Sequence, residues 1–390
     1  MIFCTFALEC LKRKMMTPIQ MVDLKQQYLR LKPEMDAAIQ RVLDSTAFIQ
    51  GSPVREFEEY LSQYIGSKHV ISCGSGTDAL LAALMSLGVG AGDEVITVPF
   101  TFIATVEVIA LLGAKPVFVD VCEESFNMDV RQLEAAITPK TKAIIPVHLY
   151  GQCANMEPIL NIANKHNISV IEDACQALGA EFTFADGTKK QAGTMGVIGC
   201  TSFFPSKNLG GYGDGGALMT DDDKLADKLR AICRHGSKER YHHQYVGLNS
   251  RLDTLQAAIL QVKLQHLEDF IIARQKAAAY YQEKLRNIKG LRLPETSSFT
   301  THTYHQFTLK LDSDCRDNVR KYLVDKQIPT AVYYPVPAHL QPAYQYLNYC
   351  EGDFPVSERL CKEVLSLPMH TEMTTEQLQF ITQTIVNCPL

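Results

Sequence analysis

The chain has 390 residues, 46% hydrophobic and 21% charged, enough to bury a large core and build one large α/β unit plus a smaller one. This excludes a peptide-sized module and an intrinsically disordered chain. Lys+Arg 38 against Asp+Glu 43 gives a net charge of -5, so no electrostatic footprint for nucleic acid or an anionic membrane surface is present. The expected partners are small molecules or other protein chains.

The N-terminus places its apolar residues ahead of Lys12, Arg13 and Lys14, the reverse of a secretory signal. Residues 1–18 are read as an extension, disordered or a misassigned start, with Met15 or Met16 as the expected natural beginning. From residue 68 to about 220, β-branched runs alternate with helix-period segments, the signature of a parallel sheet with crossover helices. Strands are predicted at His69–Cys73, Glu94–Val98, Pro116–Val119, Ala143–Val147, Ser169–Ile171, Gly199–Phe203 and Gly216–Thr220, with helices over 77–87, 103–112, 130–136 and 156–166. The most apolar stretch, Val95 to Ala114, contains Pro99, three threonines and Glu107, so it reads as strand, loop and helix, not as a membrane span. One long helix is predicted from Leu252 to Lys289, ended by Gly290. A strand over Tyr304–Leu311, a helix over Asp314–Gln327, a proline-punctuated loop at 335–342 and two terminal helices follow. A domain boundary is placed in the long helix, giving a large unit over 19–270 and a small α+β unit over 271–390.

The twelve cysteines include no CxxC pair, and several, such as Cys73 and Cys200, sit in apolar runs where a reduced thiol behaves as a small hydrophobe. That points to a reducing cytoplasm. No metal site is expected, because Tyr241-His242-His243 places adjacent histidines without ligand spacing.

Three segments could carry chemistry. Ser72-Cys73-Gly74-Ser75-Gly76-Thr77-Asp78-Ala79 joins a strand to a helix, where small residues let backbone N–H groups meet a phosphate. It also fits a dinucleotide fingerprint, but Val98-Pro99-Phe100 stands where an acidic residue should end the next strand. A plain N-capped helix is the bland reading. Val170-Ile171-Glu172-Asp173 places two carboxylates at a strand end, and alternation sends them to opposite faces. Lys207 stands between the aromatic Ser202-Phe203-Phe204 and a loop with Gly210, Gly211, Gly213, Gly215 and Gly216, an unusual setting for a solvated lysine. A phosphate cup, a strand-end carboxylate, an aromatic plate (Phe102) and a desolvated lysine are what pyridoxal phosphate needs.

Gly76-Thr77-Asp78-Ala79-Leu80, Pro99 to Thr105, Glu172 to Gln176, Ser202 to Gly210, Gly213 to Gly216, Asn249 to Asp253 and Tyr334-Pro335-Val336-Pro337 resemble the DegT/DnrJ/EryC1/StrS family of nucleotide-sugar aminotransferases, from about Ile19 to the C-terminus. The resemblance implies the pyridoxal-phosphate transferase fold type I, aspartate aminotransferase-like, with a mostly parallel seven-stranded large domain. It implies that Lys207 holds the cofactor aldehyde, Asp173 pairs with the pyridine nitrogen and Gln176 meets the ring hydroxyl. Gly76, Thr77 and Ser202 would hold the phosphate, Phe102 would stack on the ring, and Asn249 would reach the phosphate of the other subunit in a homodimer. Arg251, Tyr334 and His339 are the expected substrate residues, His339 also reading as ordinary loop or core.

Arg234 to Gly236, Arg240 to His243 and Asn249 to Leu260 resemble the members that aminate UDP-2-acetamido-2-deoxy-3-oxo-glucuronate for lipopolysaccharide sugars, with L-glutamate as donor. Tyr333 departs from the histidine usual before Tyr-Pro-x-Pro, which leaves a dTDP- or GDP-linked 3- or 4-keto-6-deoxy sugar open. Members acting as dehydratases replace the lysine by histidine, whereas this chain keeps Lys207. A non-catalytic regulator would carry a DNA-binding module, for which neither spare residues nor a basic patch exist.

Overall fold

The β-branched runs form strands and the segments between them form helices. The computed structural model describes residues 18–389, so all but the last residue of the expected N-terminal extension lies outside the described residues. In chain order the elements are α1 (Leu24–Ser45), α2 (Ser52–Ile65), β1 (His69–Cys73), α3 (Gly76–Ser86), β2 (Glu94–Thr97), α4 (Ala104–Leu111), β3 (Lys115–Phe118), α5 (Val130–Leu133), β4 (Thr141–Ile144), α6 (Met156–Lys165), β5 (Ser169–Asp173), β6 (Glu181–Thr183), β7 (Lys189–Gln191), β8 (Ile198–Ser202) and β9 (Gly216–Thr220). There follow α7 (Asp223–Ile232), β10 (Ser237–Glu239), β11 (His242–His243), α8 (Thr254–Gln265), α9 (Leu267–Leu285), β12 (Leu291–Arg292), β13 (Phe307–Leu311), α10 (Ser313–Asp325), α11 (Pro355–Glu363), β14 (Val364–Leu367) and α12 (Thr375–Val386).

The seven expected strands pair in the order β1-β9-β8-β5-β4-β2-β3. Pairing is parallel except that β9 runs antiparallel to both β1 and β8. The period of two divides each strand between two cores: Ile171 joins Ile71, Val95 and Leu218 under Ala79, Ala82 and Ala83 of α3, while its neighbour Val170 joins Ile96 and Ile144 under Met156 and Ile159 of α6. Both faces are therefore dry, and each such aliphatic side chain contributes about 1.5–3 kcal/mol by leaving water.

A three-stranded antiparallel sheet, β12-β13-β14, builds the smaller unit. Its core gathers Ala277, Tyr281 and Leu285 of α9, Phe307, Leu309, Leu365, Leu367, Ile381 of α12, and Ile19 from the chain's beginning. The position expected as the boundary lies inside α9, whose Leu267 and Ile271 pack instead with Phe57 and Leu61 of α2. Two expectations are corrected. The single helix over 252–289 breaks at His266, which leaves helical ψ (φ -106°, ψ 4°) and separates α8 from α9. The pair of terminal helices is interrupted by β14, which pairs with β13.

Burial in this unit sets an acid limit on stability. His370 is buried, and that burial, with the Arg274 charge adding to it, holds its pKa down at about 4. Between there and the ordinary histidine value near 6.5 the unfolded chain binds the proton and the native chain does not, so stability falls as pH drops through that window. His370 is expected to account for up to about 3 kcal/mol of this fall. Urea titrations of wild type and His370→Asn should diverge in slope between pH 6.5 and 4; parallel slopes would remove His370 as the cause.

Candidate active site

β1 delivers Gly74 and Ser75 to the start of α3, where the Ser75 hydroxyl accepts from the Asp78 N–H at 3.0 Å. This N-cap leaves Gly76 and Thr77 as the first helical residues, their N–H groups at the positive end of the helix. A Cβ on Gly76 would lie 2.7 Å from Ser202 Cβ and 3.0 Å from Cys175 Sγ, so only glycine lets the helix start, the end of β8 and the turn after β5 converge. Ser250 closes the rim: its hydroxyl accepts from the Gly74 N–H at 2.9 Å and donates to Asp78 Oδ2 at 2.7 Å.

The two strand-end carboxylates do face opposite ways. Asp173 accepts from the Thr105 hydroxyl on Oδ2 at 2.7 Å and from the Cys175 N–H on Oδ1 at 3.2 Å. Glu172, fully buried, accepts from His148 Nε2 at 2.8 Å and from the N–H groups of Gly193, Met195 and Gly196 at 2.9, 2.6 and 2.5 Å. His148 Nδ1 accepts from the Ala154 N–H, so its proton sits on Nε2 and it donates to Glu172 as a neutral ring. Glu172 thus braces the segment leading into β8, and Asp173 is the carboxylate beside Lys207.

Lys207 lies in the turn after β8, its N–H donating to the Phe204 carbonyl. Burial lowers its pKa, while the neighbouring Cys175 and Asp173 pull the other way. A lysine in that state loses its proton more readily than one in water, which suits a nucleophile and a proton carrier. The glycine loop behind it is clamped by α8: Lys263 Nζ donates to the Gly210 carbonyl at 2.7 Å, and Gln256 Oε1 accepts from the Tyr212 N–H at 2.8 Å.

Phe102 is 55% exposed, unusual for a phenyl ring, and its centroid is 6.1 Å from that of Tyr334. Gln176 Nε2 donates to the Tyr334 hydroxyl at 3.0 Å, and its Oε1 accepts from the Tyr150 N–H at 2.8 Å. Asn249 is exposed and Arg251 half-buried on the turn that Ser250 ties to the cup. Arg251 has no ion pair or hydrogen bond among the described residues.

His339 is buried among Phe118, Tyr349 and Phe354 with Nε2 on Glu358 at 3.0 Å, the core placement that is the other reading of this histidine. Thr105 and Ser250 carry functions that residue-by-residue reading missed, although both lie in quoted motifs. Thr105 lies in the first turn of α4, three residues after Phe102.

A cradle that a single Cβ would fill, an open aromatic face, a braced carboxylate and a desolvated lysine fit pyridoxal 5′-phosphate. On a mostly parallel seven-stranded sheet with a smaller α+β unit, they define a pyridoxal-phosphate-dependent aminotransferase of fold type I. The model of the DegT/DnrJ/EryC1/StrS aminotransferase family matches residues 30–386, and the chain belongs to that family.

The chain is 48% identical to a pleiotropic regulatory protein of Geobacillus stearothermophilus over 369 residues, 94% of this chain and 97% of that one. It is also 48% identical over 369 residues to the UDP-2-acetamido-2-deoxy-3-oxo-D-glucuronate aminotransferase of Pseudomonas aeruginosa, 95% of this chain and 100% of that one. Identity is 46% over 371 residues to the UDP-N-acetyl-3-dehydro-alpha-D-glucosamine 3-aminotransferase of Acidithiobacillus ferrooxidans, 95% and 97%. Among solved structures, DesV of S. venezuelae superposes with a TM-score of 0.91 at 39% identity, covering 95% of this chain and 98% of that one. NtdA of Bacillus subtilis with bound cofactor PMP superposes with a TM-score of 0.83 at 33% identity, covering 90% and 80%. The chain is therefore a pyridoxal-phosphate-dependent aminotransferase of that family.

Proposed function

We propose that this chain transfers the amino group of L-glutamate to the 3-keto carbon of UDP-2-acetamido-2-deoxy-3-oxo-D-glucuronate, in the cytoplasm, for lipopolysaccharide sugars. The observation that carries the acceptor is Arg251: a guanidinium without an ion-pair or hydrogen-bond partner among the described residues, on the turn bound to the cup through Ser250, suits a carboxylate fork. The regulatory name of one relative does not displace this reading, since Lys207 and Asp173 are both retained.

Gly76, Thr77 and Ser202 would hold the cofactor phosphate, Phe102 the ring face, Gln176 the ring hydroxyl and Asp173 the pyridine nitrogen. The cofactor, when bound, supplies an electron-poor ring that stabilises negative charge at the substrate carbon. Lys207 would be the proton carrier of both half-reactions, acting as base at the glutamate Cα in the first and as acid at the sugar carbon that receives the nitrogen in the second. Thr105 and the Cys175 N–H keep Asp173 aimed throughout.

Arg251→Ala is expected to weaken the half-reaction with the keto-uronate by about 2 kcal/mol or more, the loss of a charge-assisted bidentate contact, and to affect the glutamate half-reaction less. A wild-type preference for UDP-N-acetyl-3-keto-glucosamine or a neutral 6-deoxy keto-sugar over the uronate would remove the carboxylate reading and leave the aminotransferase in place.

The active unit is taken as a homodimer in which Asn249 reaches the partner's phosphate cup. Mixing inactive Lys207→Ala with a weakly active Asn249→Ala should restore turnover through hybrid dimers. No recovery after verified subunit exchange would mean that each chain completes its own site.

A further inference from the structure

Tyr150 stands behind the cofactor pocket and has no part in the chemistry above. It is buried at 2% exposure, with φ at +58° in the left-handed region that a bulky side chain adopts only where its surroundings dictate it. Those surroundings are polar on three sides. The Tyr150 N–H donates to Gln176 Oε1 at 2.8 Å, its carbonyl accepts from the Gln306 N–H at 3.3 Å, and its hydroxyl donates to the Tyr333 carbonyl. Its ring is held by Phe126 at 5.1 Å and Phe100 at 6.5 Å between centroids. Gly151 continues the anchor, its carbonyl accepting from the Thr303 N–H at 2.8 Å.

These bonds have a fixed direction. A backbone N–H can only donate, so it turns the amide oxygen of Gln176 toward Tyr150 and the amide nitrogen outward. That nitrogen donates to the Tyr334 hydroxyl, whose own proton is then left to point elsewhere. Meanwhile the Tyr150 hydroxyl grips the residue just before Tyr334. One residue, through its backbone N–H and its phenol, therefore fixes both ends of the Gln176–Tyr334 pair.

We propose that Tyr150 is a positioning residue that holds the Tyr334 hydroxyl as a hydrogen-bond donor to the keto-sugar, binding the 333–334 segment through its phenol and Gln176 through its N–H. This rests on the proposed function and on Tyr334 facing the acceptor sugar, the substrate role expected for it from the sequence.

The test is a double-mutant cycle with the holoenzyme, using Tyr150→Phe, Tyr334→Phe and the double variant. The probes are UDP-2-acetamido-2-deoxy-3-oxo-D-glucuronate and L-glutamate, each half-reaction being followed separately. Tyr150→Phe keeps the ring and the N–H and removes one hydroxyl. It is expected to lower kcat/KM for the keto-sugar about tenfold, the size of one lost hydrogen bond, and that for glutamate less than about threefold. The pH midpoint of the cofactor's visible absorption should stay put, because Gln176 and Lys207 are untouched. In the Tyr334→Phe background the Tyr150 effect should shrink to within about twofold, since both changes then act on one contact. Independent, multiplying losses, equal losses in both half-reactions, or an unaffected keto-sugar half-reaction would overturn the proposal. A silent Tyr334→Phe would instead locate the failure in the reading of Tyr334.

Discussion

Replacing Lys207 by alanine is expected to abolish turnover, a loss of about a thousandfold or more, and to remove the visible absorption of lysine-bound cofactor. Lys263, the other buried lysine of this region, is engaged by the Gly210 carbonyl and stands 4.7 Å over the Tyr212 ring, behind the glycine loop. The phosphate cup does not involve Lys207, so the variant should still bind pyridoxal phosphate non-covalently, measurable by equilibrium dialysis. Full activity with the wild-type spectrum would transfer the anchor role to another residue.

Asp173→Asn should cut turnover by about a hundredfold or more while leaving the fold intact. An amide oxygen still accepts from Thr105 and from the Cys175 N–H, but a neutral amide cannot keep a proton on the pyridine nitrogen. Glu172→Gln should do the reverse. Four donors converge on that carboxylate, and an amide brings one oxygen and two hydrogens, so at least one N–H is left facing another donor. The cost is expected at about 3 kcal/mol of stability, with turnover of the folded fraction changed much less. Thermal melts beside kcat separate the two; equal kinetic losses from both variants would undo the facing assignment.

The central sheet was legible because its strands are short β-branched runs buried on both sides, a pattern that few other structures produce. The helices α1 and α2 escaped: α1 carries Pro33 in its interior, which ordinarily marks an end, and neither has a long apolar run. β14 escaped because four residues between two helices carry no measurable period. In the site, alternation alone separated Glu172 from Asp173, a local rule that survives folding. The brace on Asp173 did not follow from local rules, because Thr105 lies 68 positions away in sequence and meets it only through the strand order. The surroundings of His339 were not legible for the same reason, since no local pattern announces the Phe118, Tyr349 and Phe354 rings that enclose it.

The start of the described chain is fastened near its end. Ile19 enters the apolar cluster of the smaller unit, and the Met21 carbonyl accepts from the Met369 N–H. During synthesis the chain emerges from its beginning, so this early segment has to wait, unpartnered, until almost all of the polypeptide has left the ribosome. The clasp closes last, and a chain stalled or cut shortly before Met369 would hold most of its central sheet yet leave both of its loose ends unsecured.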